Sequence, residues 1–225
     1  MAESMLVARS PARGAAAVVK RLVDFIAMLV ALPFVAVYRL CAMIAPGRAD
    51  TFFQSCSEAL SIWPGITGGY VRRAFYRLTL RRCASDCSIG FGTVFATPAA
   101  EIGPGVYIGT YGNIGHATIG ADTLLGSNVT ILSGRQQHHF ERLDVPIRHQ
   151  GGTYSRVTVG RDAWIGNGAI VSCDVGDQAI VAAGAIVVRP VSPRAIVGGN
   201  PATVIGERGQ VREDIAKQVP VSIPS

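Results

Sequence analysis

From residue 102 onward an aliphatic side chain returns at every sixth position, usually with a small residue behind it. The first run reads Ile102-Gly103, Ile108-Gly109 and Ile114-Gly115, then after a step of five Ile119-Gly120, Leu125-Gly126 and Ile131-Leu132. A second run reads Val159-Gly160, Ile165-Gly166 and Val171-Ser172, then after a step of four Val175-Gly176, Val181-Ala182 and Val187-Val188. A six-residue period fits neither the helical turn of about 3.6 residues nor the alternation of a half-buried strand. It fits a solenoid in which each hexad makes one flat side of a triangular coil, the aliphatic residue facing inward and the small residue relieving the corner. The sequence therefore predicts a mainly β chain, a left-handed parallel β-helix.

A chain of 225 residues can bury a full core in one principal domain and still carry an appendage. Its 26 glycines follow no three-residue period, which excludes a collagen-like rod and agrees with many tight corners. The five cysteines, Cys41, Cys56, Cys83, Cys87 and Cys173, are odd in number and lack C-x-x-C spacing. Neither a disulfide framework nor a zinc site is indicated, because Cys83 and Cys87, four apart, have no second pair to complete a tetrahedral set. The expectation is a reducing, cytoplasmic setting and no metal.

Charge is unevenly placed. Residues 1–84 hold 11 Lys/Arg against 4 Asp/Glu, a net of +7, whereas residues 85–225 hold 10 against 11, a net of −1. Within the basic part, Leu22 to Ile44 is a nearly continuous apolar run, preceded by Lys20-Arg21 and interrupted by Asp24, Pro33 and Arg39. Such a run just reaches across a hydrocarbon core of about 30 Å. The central proline and the flanking charges favour a kinked re-entrant or in-plane helix over a plain span, with Arg39 and Lys20-Arg21 reaching lipid headgroups. A cleaved signal peptide lacks a clear small-x-small site, and a buried helical hairpin is the soluble alternative.

The segment Arg72 to Arg82 interleaves arginines with Phe75 and Tyr76. It reads as an amphipathic helix on an anionic leaflet rather than a nucleic-acid patch, since no nucleic-acid motif accompanies it. Pro64, Gly65, Gly68 and Gly69 read as a hinge. Three parts result: a helical, membrane-associated N-terminal extension over 1–84, a β-helix over 85–208 interrupted by a loop at 133–156, and a C-terminal tail over 209–225.

Trp164-Ile-Gly-Asn-Gly-Ala169, Ala183-Gly184-Ala-Ile-Val187 and Gly199-Asn200-Pro201-Ala202 follow one another in the chain. Through them, and over roughly residues 85–208, the sequence resembles the hexapeptide-repeat acyltransferases. Phe91-Gly92-Thr93 and Ile131-Leu-Ser-Gly-Arg-Gln-Gln-His138 look most like the sugar O-acetyltransferases of surface-polysaccharide clusters, members of which commonly carry an apolar N-terminal extension. The resemblance implies a homotrimer with three sites in the clefts between neighbouring prisms, an arrangement that flat prism faces favour and that provides a deep groove. It further implies acetyl-CoA as co-substrate along the cleft and a sugar or glycan acceptor, lipid-linked intermediates included. The place of work would be the inner leaflet, on the cytoplasmic face of the bacterial inner membrane.

Between Ile131 and Val157 the hexad is lost, and the intervening polar segment holds three of the four histidines. A loop of this length inside a solenoid is unusual and generally functional. Acyl transfer from a thioester to a hydroxyl needs a base for the hydroxyl proton, a task suited to imidazole at neutral pH. His138 falls where the family's Ser-Gly-Arg-x-x-His pattern places that base. His139 is the second candidate; in an extended segment the two neighbours face opposite ways, so only one enters the cleft. Glu141 or Asp144 would orient the imidazole and stabilise its cationic form. His149 reads as a solvated loop residue, and His116, at the five-residue step, as a corner or interface residue.

For the coenzyme, Trp164 would wall the groove, and Gly166, Gly168, Ala183 and Gly184 suit close approach of a pantetheine chain because they carry little or no side chain. Asn200, Pro201 and Ala202 end the solenoid in a rigid turn that would cradle the pantetheine or the adenine. Many relatives follow this turn with a lysine; Thr203 stands there instead, so phosphate contact falls to Arg208, Arg194 or Arg189. Small residues are also what corners require, and Trp164 equally reads as a corner aromatic. Two other functions remain as alternatives: a sugar N-acetyltransferase using the same base, and a non-catalytic β-helix scaffold. A γ-class carbonic anhydrase would share the fold, but no three histidines have metal-ligand spacing here.

Overall fold

A computed structural model of the protein describes residues 15–210; the expectations for residues 1–14 and for 211–225 of the tail lie outside the described residues. The described residues begin with three α-helices, α1 (Ala15–Ile44), α2 (Ala49–Ser61) and α3 (Gly65–Thr79), and then wind into a parallel β-helix of three sides.

The first side stacks Arg82–Cys83, Glu101–Ile102, Ala117–Ile119 and Val157–Val159, and isolated bridges carry it on through Val175 and Val191. The second stacks Ser88–Ile89, Tyr107–Ile108, Leu124–Leu125, Trp164–Ile165, Ile180–Val181 and Ala195–Gly198. The third stacks Val94–Phe95, Asn113–Ile114, Thr130–Ile131, Ile170–Val171 and Ile186–Val187. Thr203–Glu207 folds back antiparallel on Ala195–Gly198 and closes the C-terminal end.

Every hexad aliphatic of the two sequence runs points inward and is buried. Full burial of such a side chain is worth about 2 kcal/mol relative to exposure. The small residue behind each is explained by stacking: a Cβ on Gly109 would lie 2.7 Å from the carbonyl carbon of Gly126 in the next coil. One coil precedes the run legible in the sequence, with Cys83, Ile89 and Phe95 in register with Ile102, Ile108 and Ile114.

The inward positions keep a spacing of six from the first side to the second and from the second to the third. Every departure falls on the return from the third side to the first: Phe95 to Ile102, Ile114 to Ile119, Ile131 to Val159, Val171 to Val175 and Val187 to Val191. One edge of the prism thus carries all the irregularity, including the long loop.

The helices cover the N-terminal end of the prism. Phe53, Phe75, Tyr76 and Phe95 form a buried aromatic cluster, with the Tyr76 and Phe95 rings 4.4 Å apart. The hydroxyls of Ser57 and Tyr76 meet at 2.6 Å, and burial pushes the Tyr76 phenol well above its ordinary pKa. Arg72, 2% exposed, donates to the carbonyls of Ile89, Ser61 and Trp63. Arg73 pairs with Asp24 of α1 and donates to the Cys87 carbonyl at 3.2 Å. Arg72, Arg73, Phe75 and Tyr76 therefore face the protein rather than a leaflet, because backbone carbonyls of the first coil and the helix junction need donors there, whereas Arg81 and Arg82 at the end of the segment are exposed.

Pro64, Gly65, Gly68 and Gly69 form no hinge. Pro64 is the N-cap of α3, and Gly68 lets that helix press on the preceding turn: a Cβ there would overlap the Trp63 carbonyl oxygen. α1 runs through Pro33 to Ile44 as one helix, so it makes no re-entrant turn. Its inner face, with Ala27, Ala31 and Tyr38 buried, packs on α2 and α3. Its outer face leaves Val18, Leu22, Phe25, Leu29, Leu32 and Leu40 exposed. Residues 17–44 are long and apolar enough to cross a membrane by length and composition.

Candidate active site

The loop after Ile131 is a folded arm, not a slack connection. Ser155 N–H donates to Ser133 O at 3.0 Å, Thr153 N–H to Gln136 O at 2.7 Å and His139 N–H to Gly151 O at 2.9 Å. The Gln150 amide closes its tip on the carbonyls of Arg142 and Val145 at 2.6 and 2.7 Å. Held this way, the arm encloses a cavity of about 540 Å³ against the third-to-first edge of the prism. Arg135, His138, His139 and Glu141 line it from the arm; Ser172, Cys173 and Asp174 line it from the coil beneath.

His138 and His139 both line this cavity, His138 exposed and His139 half-buried. The expectation that only one could enter assumed an extended segment, but the chain bends at His138, so strand alternation does not apply. Glu141 is beside them, its carboxylate accepting from the Phe140 N–H at 3.0 Å. Asp144 does not join them. It forms a two-bond ion pair with Arg142 on the exposed side of the arm, and that hydrogen bond holds its carboxyl below the ordinary range.

The carboxylate that sequence reasoning missed is Asp174. It lies in the four-residue step between Val171 and Val175, where its Oδ1 accepts from the Thr158 N–H at 2.7 Å. The signal was present, since that step breaks the hexad at the same edge as the loop.

A second cavity of about 380 Å³ continues along this edge toward α2, lined by Asp50, Gln54, Thr97, His116, Ser133 and Tyr154. Arg156 stands between the two. It borders the first cavity and donates to His116 Nε2 at 3.1 Å, Glu101 Oε1 at 2.6 Å and Thr118 Oγ1 at 3.3 Å. Partial burial and then the Arg156 and Arg81 charges hold the His116 pKa below its ordinary value. His149 is exposed at the arm's outer turn, where it accepts from Arg148 Nε at 3.0 Å.

The coenzyme candidates are on other parts of the prism. Trp164, 52% exposed, is in an outward row on the second side with Tyr107, Leu124, Ile180 and Ile196. Gly168, Ala183 and Gly184 are exposed at the second-to-third edge, with open space over both glycines. The turn at Gly199, Asn200 and Pro201 joins them, since Ile186 N–H donates to Gly199 O and Ala202 N–H to Ile186 O. Gly166 is buried and serves stacking, as a Cβ there would run into Ala183 of the next coil. Arg208 is apart from this group, at the first-to-second edge, where Asp162 holds its guanidinium. Arg194 pairs with Glu207 at 3.2 Å.

His138 and His139 thus stand at the third-to-first edge, and Gly168, Ala183, Gly184 and the turn at Asn200 and Pro201 at the second-to-third edge, separated by the third side. Among the described residues no cluster of three or more His, Cys, Asp or Glu side chains could hold a metal ion.

Among solved structures the chain is similar to a maltose O-acetyltransferase from Clostridium difficile 630, with 19% identity over 70% of this chain and 87% of that one and a TM-score of 0.60. It is similar to a galactoside acetyltransferase in complex with coenzyme A, at 21% identity over 70% and 82% with a TM-score of 0.59. A hexapeptide-repeat containing acetyltransferase from Vibrio cholerae O1 biovar eltor, complexed with acetyl coenzyme A, matches at 17% over 74% and 91% with a TM-score of 0.53. No protein-family model and no curated protein sequence matches the chain. The hexad register, the three parallel sides and these neighbours establish one conclusion: the chain has the hexapeptide-repeat β-helix fold that these acetyltransferases share.

Proposed function

We propose that the protein transfers an acetyl group from acetyl-CoA to a sugar hydroxyl, on a surface polysaccharide or a lipid-linked glycan intermediate. The observation that carries this reading is the cavity where the long break in the hexads after Ile131 brings two imidazoles and two carboxylates together. The names of the solved neighbours point the same way.

In this reading His138 takes the acceptor proton as the hydroxyl oxygen attacks the thioester carbonyl. The carbon–oxygen bond forms, the oxyanion is held by nearby N–H donors, and collapse breaks the carbon–sulfur bond. The departing coenzyme thiolate receives the proton from the imidazolium. Asp174 or Glu141 steadies the cationic ring, and His139 is the alternative base. No covalent intermediate on the protein is required.

The separation of the histidine edge from the coenzyme edge supports a site completed between copies, in a homotrimer. The apolar outward row of Tyr107, Leu124, Trp164, Ile180 and Ile196 suits burial against another prism. The α1 helix suits an in-plane position on the inner leaflet. Its inner face is already occupied by α2 and α3 from Asp24 to Arg39, its outer face is apolar, and Lys20 and Arg21 flank it.

The test is incubation of the purified protein with acetyl-CoA and a panel of glycans. Acceptor-dependent release of the coenzyme thiol, with a product one acetyl group heavier and labile to mild base as an ester is, supports the reading. A base-stable amide product would transfer it to amines, and absence of both turnover and coenzyme binding would favour the scaffold.

A further inference from the structure

Away from the cavity, two thiols face each other beneath α3. Cys83 ends the first strand and Cys87 precedes the second, and their sulfur atoms are 3.5 Å apart. The Cys87 S–H also donates to the Ala84 carbonyl oxygen at 3.2 Å. Cys87 is fully buried and Cys83 half-buried, so a small molecule reaches the pair past Cys83. The two sulfurs are in hydrogen-bond contact across one tight turn, 3.5 Å apart against a disulfide length of about 2.05 Å.

The surroundings favour reaction. Arg73 donates to the Cys87 carbonyl, and the charges of Arg73 and Arg77 favour thiolate, opposed by burial and by Asp86. The S–H of Cys83, donated to Cys87, eases the Cys87 thiol below its ordinary value and pushes Cys83 upward. Guanidinium charge beside a thiol pair whose Cys83 end is partly exposed favours its oxidation.

We propose that Cys83 and Cys87 form a modification site, oxidised by hydrogen peroxide to an intrachain disulfide. The Cys87 thiolate attacks one peroxide oxygen, the oxygen–oxygen bond breaks, and the hydroxide released takes up a proton as water. The sulfur of Cys83 then attacks the sulfenic sulfur of Cys87; the second hydroxide leaves with the Cys83 proton as another water. Two thiols and one peroxide give one disulfide and two waters. The bond pins the turn whose carbonyl Arg73 holds, and through the pair of Arg73 with Asp24 it stiffens the seam between α1 and the first coil.

The experiment treats the full-length protein with a small excess of hydrogen peroxide, alkylates the remaining thiols and maps the peptides by mass spectrometry. The peptide spanning Cys83 and Cys87 should lose two hydrogens, resist alkylation and recover with dithiothreitol, while Cys41, Cys56 and Cys173 remain alkylated. In Cys83→Ser the Cys87 sulfur should stop at sulfenic acid, trapped by dimedone, with no intrachain bond. Alkylation of both thiols after treatment, or bonding of either to a different cysteine, would overturn the proposal. Circular dichroism of the serine variant separates loss of the bond from loss of the fold.

Discussion

Arg156 donates its Nε–H to Nε2 of His116 across 3.1 Å, a bond that a protonated imidazole cannot accept. Partial burial, and then the Arg156 charge, disfavour the protonated ring, so the folded state holds the His116 pKa below the ordinary 6.5. Below 6.5 the unfolded chain binds the extra proton and the folded chain resists it, so stability contributed here is lost as the pH falls through that region. Melting temperature of the wild type should drop on acidification from pH 7 to 5 more steeply than that of His116→Asn, which has no proton to gain. Parallel slopes for the two proteins would show that this pair is not linked to stability.

Loss of the proposed base has a separate signature. His138→Ala should lower acyl transfer by about two orders of magnitude or more, leaving coenzyme affinity nearly unchanged. His139→Ala should lower it less. Steady-state kinetics paired with calorimetric titration of coenzyme A decides; full activity in the first variant would return the assignment to His139.

Among the described residues Arg72 has no carboxylate partner and serves three carbonyls. Removing it by Arg72→Leu leaves Ser61 O with its bond from the Gly92 N–H at 2.8 Å but takes the guanidinium from the Ile89 and Trp63 carbonyls in a buried junction, at about 1–3 kcal/mol for each left unsatisfied. Urea unfolding should show a loss of about 3 kcal/mol or more, and a change under 1 kcal/mol would mean that water replaces the guanidinium.

Gly68→Ala tests a reversal of helix propensity. An alanine in a helix interior normally stabilises by roughly 0.5–1 kcal/mol over glycine. Here the added methyl meets the Trp63 carbonyl oxygen, so the variant should be less stable in the same urea assay, while Gly69→Ala, free of that contact, should not be.

The outer face of α1 can be tested without removing the helix. Truncation would take away Asp24 and Tyr38, and with them the ion pair and ring contact that hold the helical cap. Replacing Phe25, Leu29 and Leu32 with serine keeps those contacts and should abolish flotation with anionic vesicles at an unchanged melting temperature. Continued flotation would place lipid contact elsewhere.

Inward aliphatics were legible because a stacked coil tolerates little else at that position, and the loop was legible as the place where they stop. The first coil fell within the expected 85–208 span except for its opening strand, Arg82–Cys83, whose inward Cys83 stands under α3, where the end of the stack relaxes the demand for an aliphatic. Arg72 and Arg73 looked like surface residues for a related reason: their partners are carbonyls and a carboxylate from distant segments, which local pattern cannot bring near. The two histidines were separated by assuming a strand where the backbone bends. Asp174 went unread as a site residue because a step of four looks like a spacing error until the edge it shares with the loop is known.

That shared edge has a consequence for how such a chain tolerates change. Extra residues inserted at 172–174 or 188–190 lengthen a bulge and leave every later side chain facing as before. One residue added at 166–168 instead throws the next strand out of phase, turning its oily side to water. New binding arms can therefore be grafted at a single corner of the prism, and the other two corners act as its metronome.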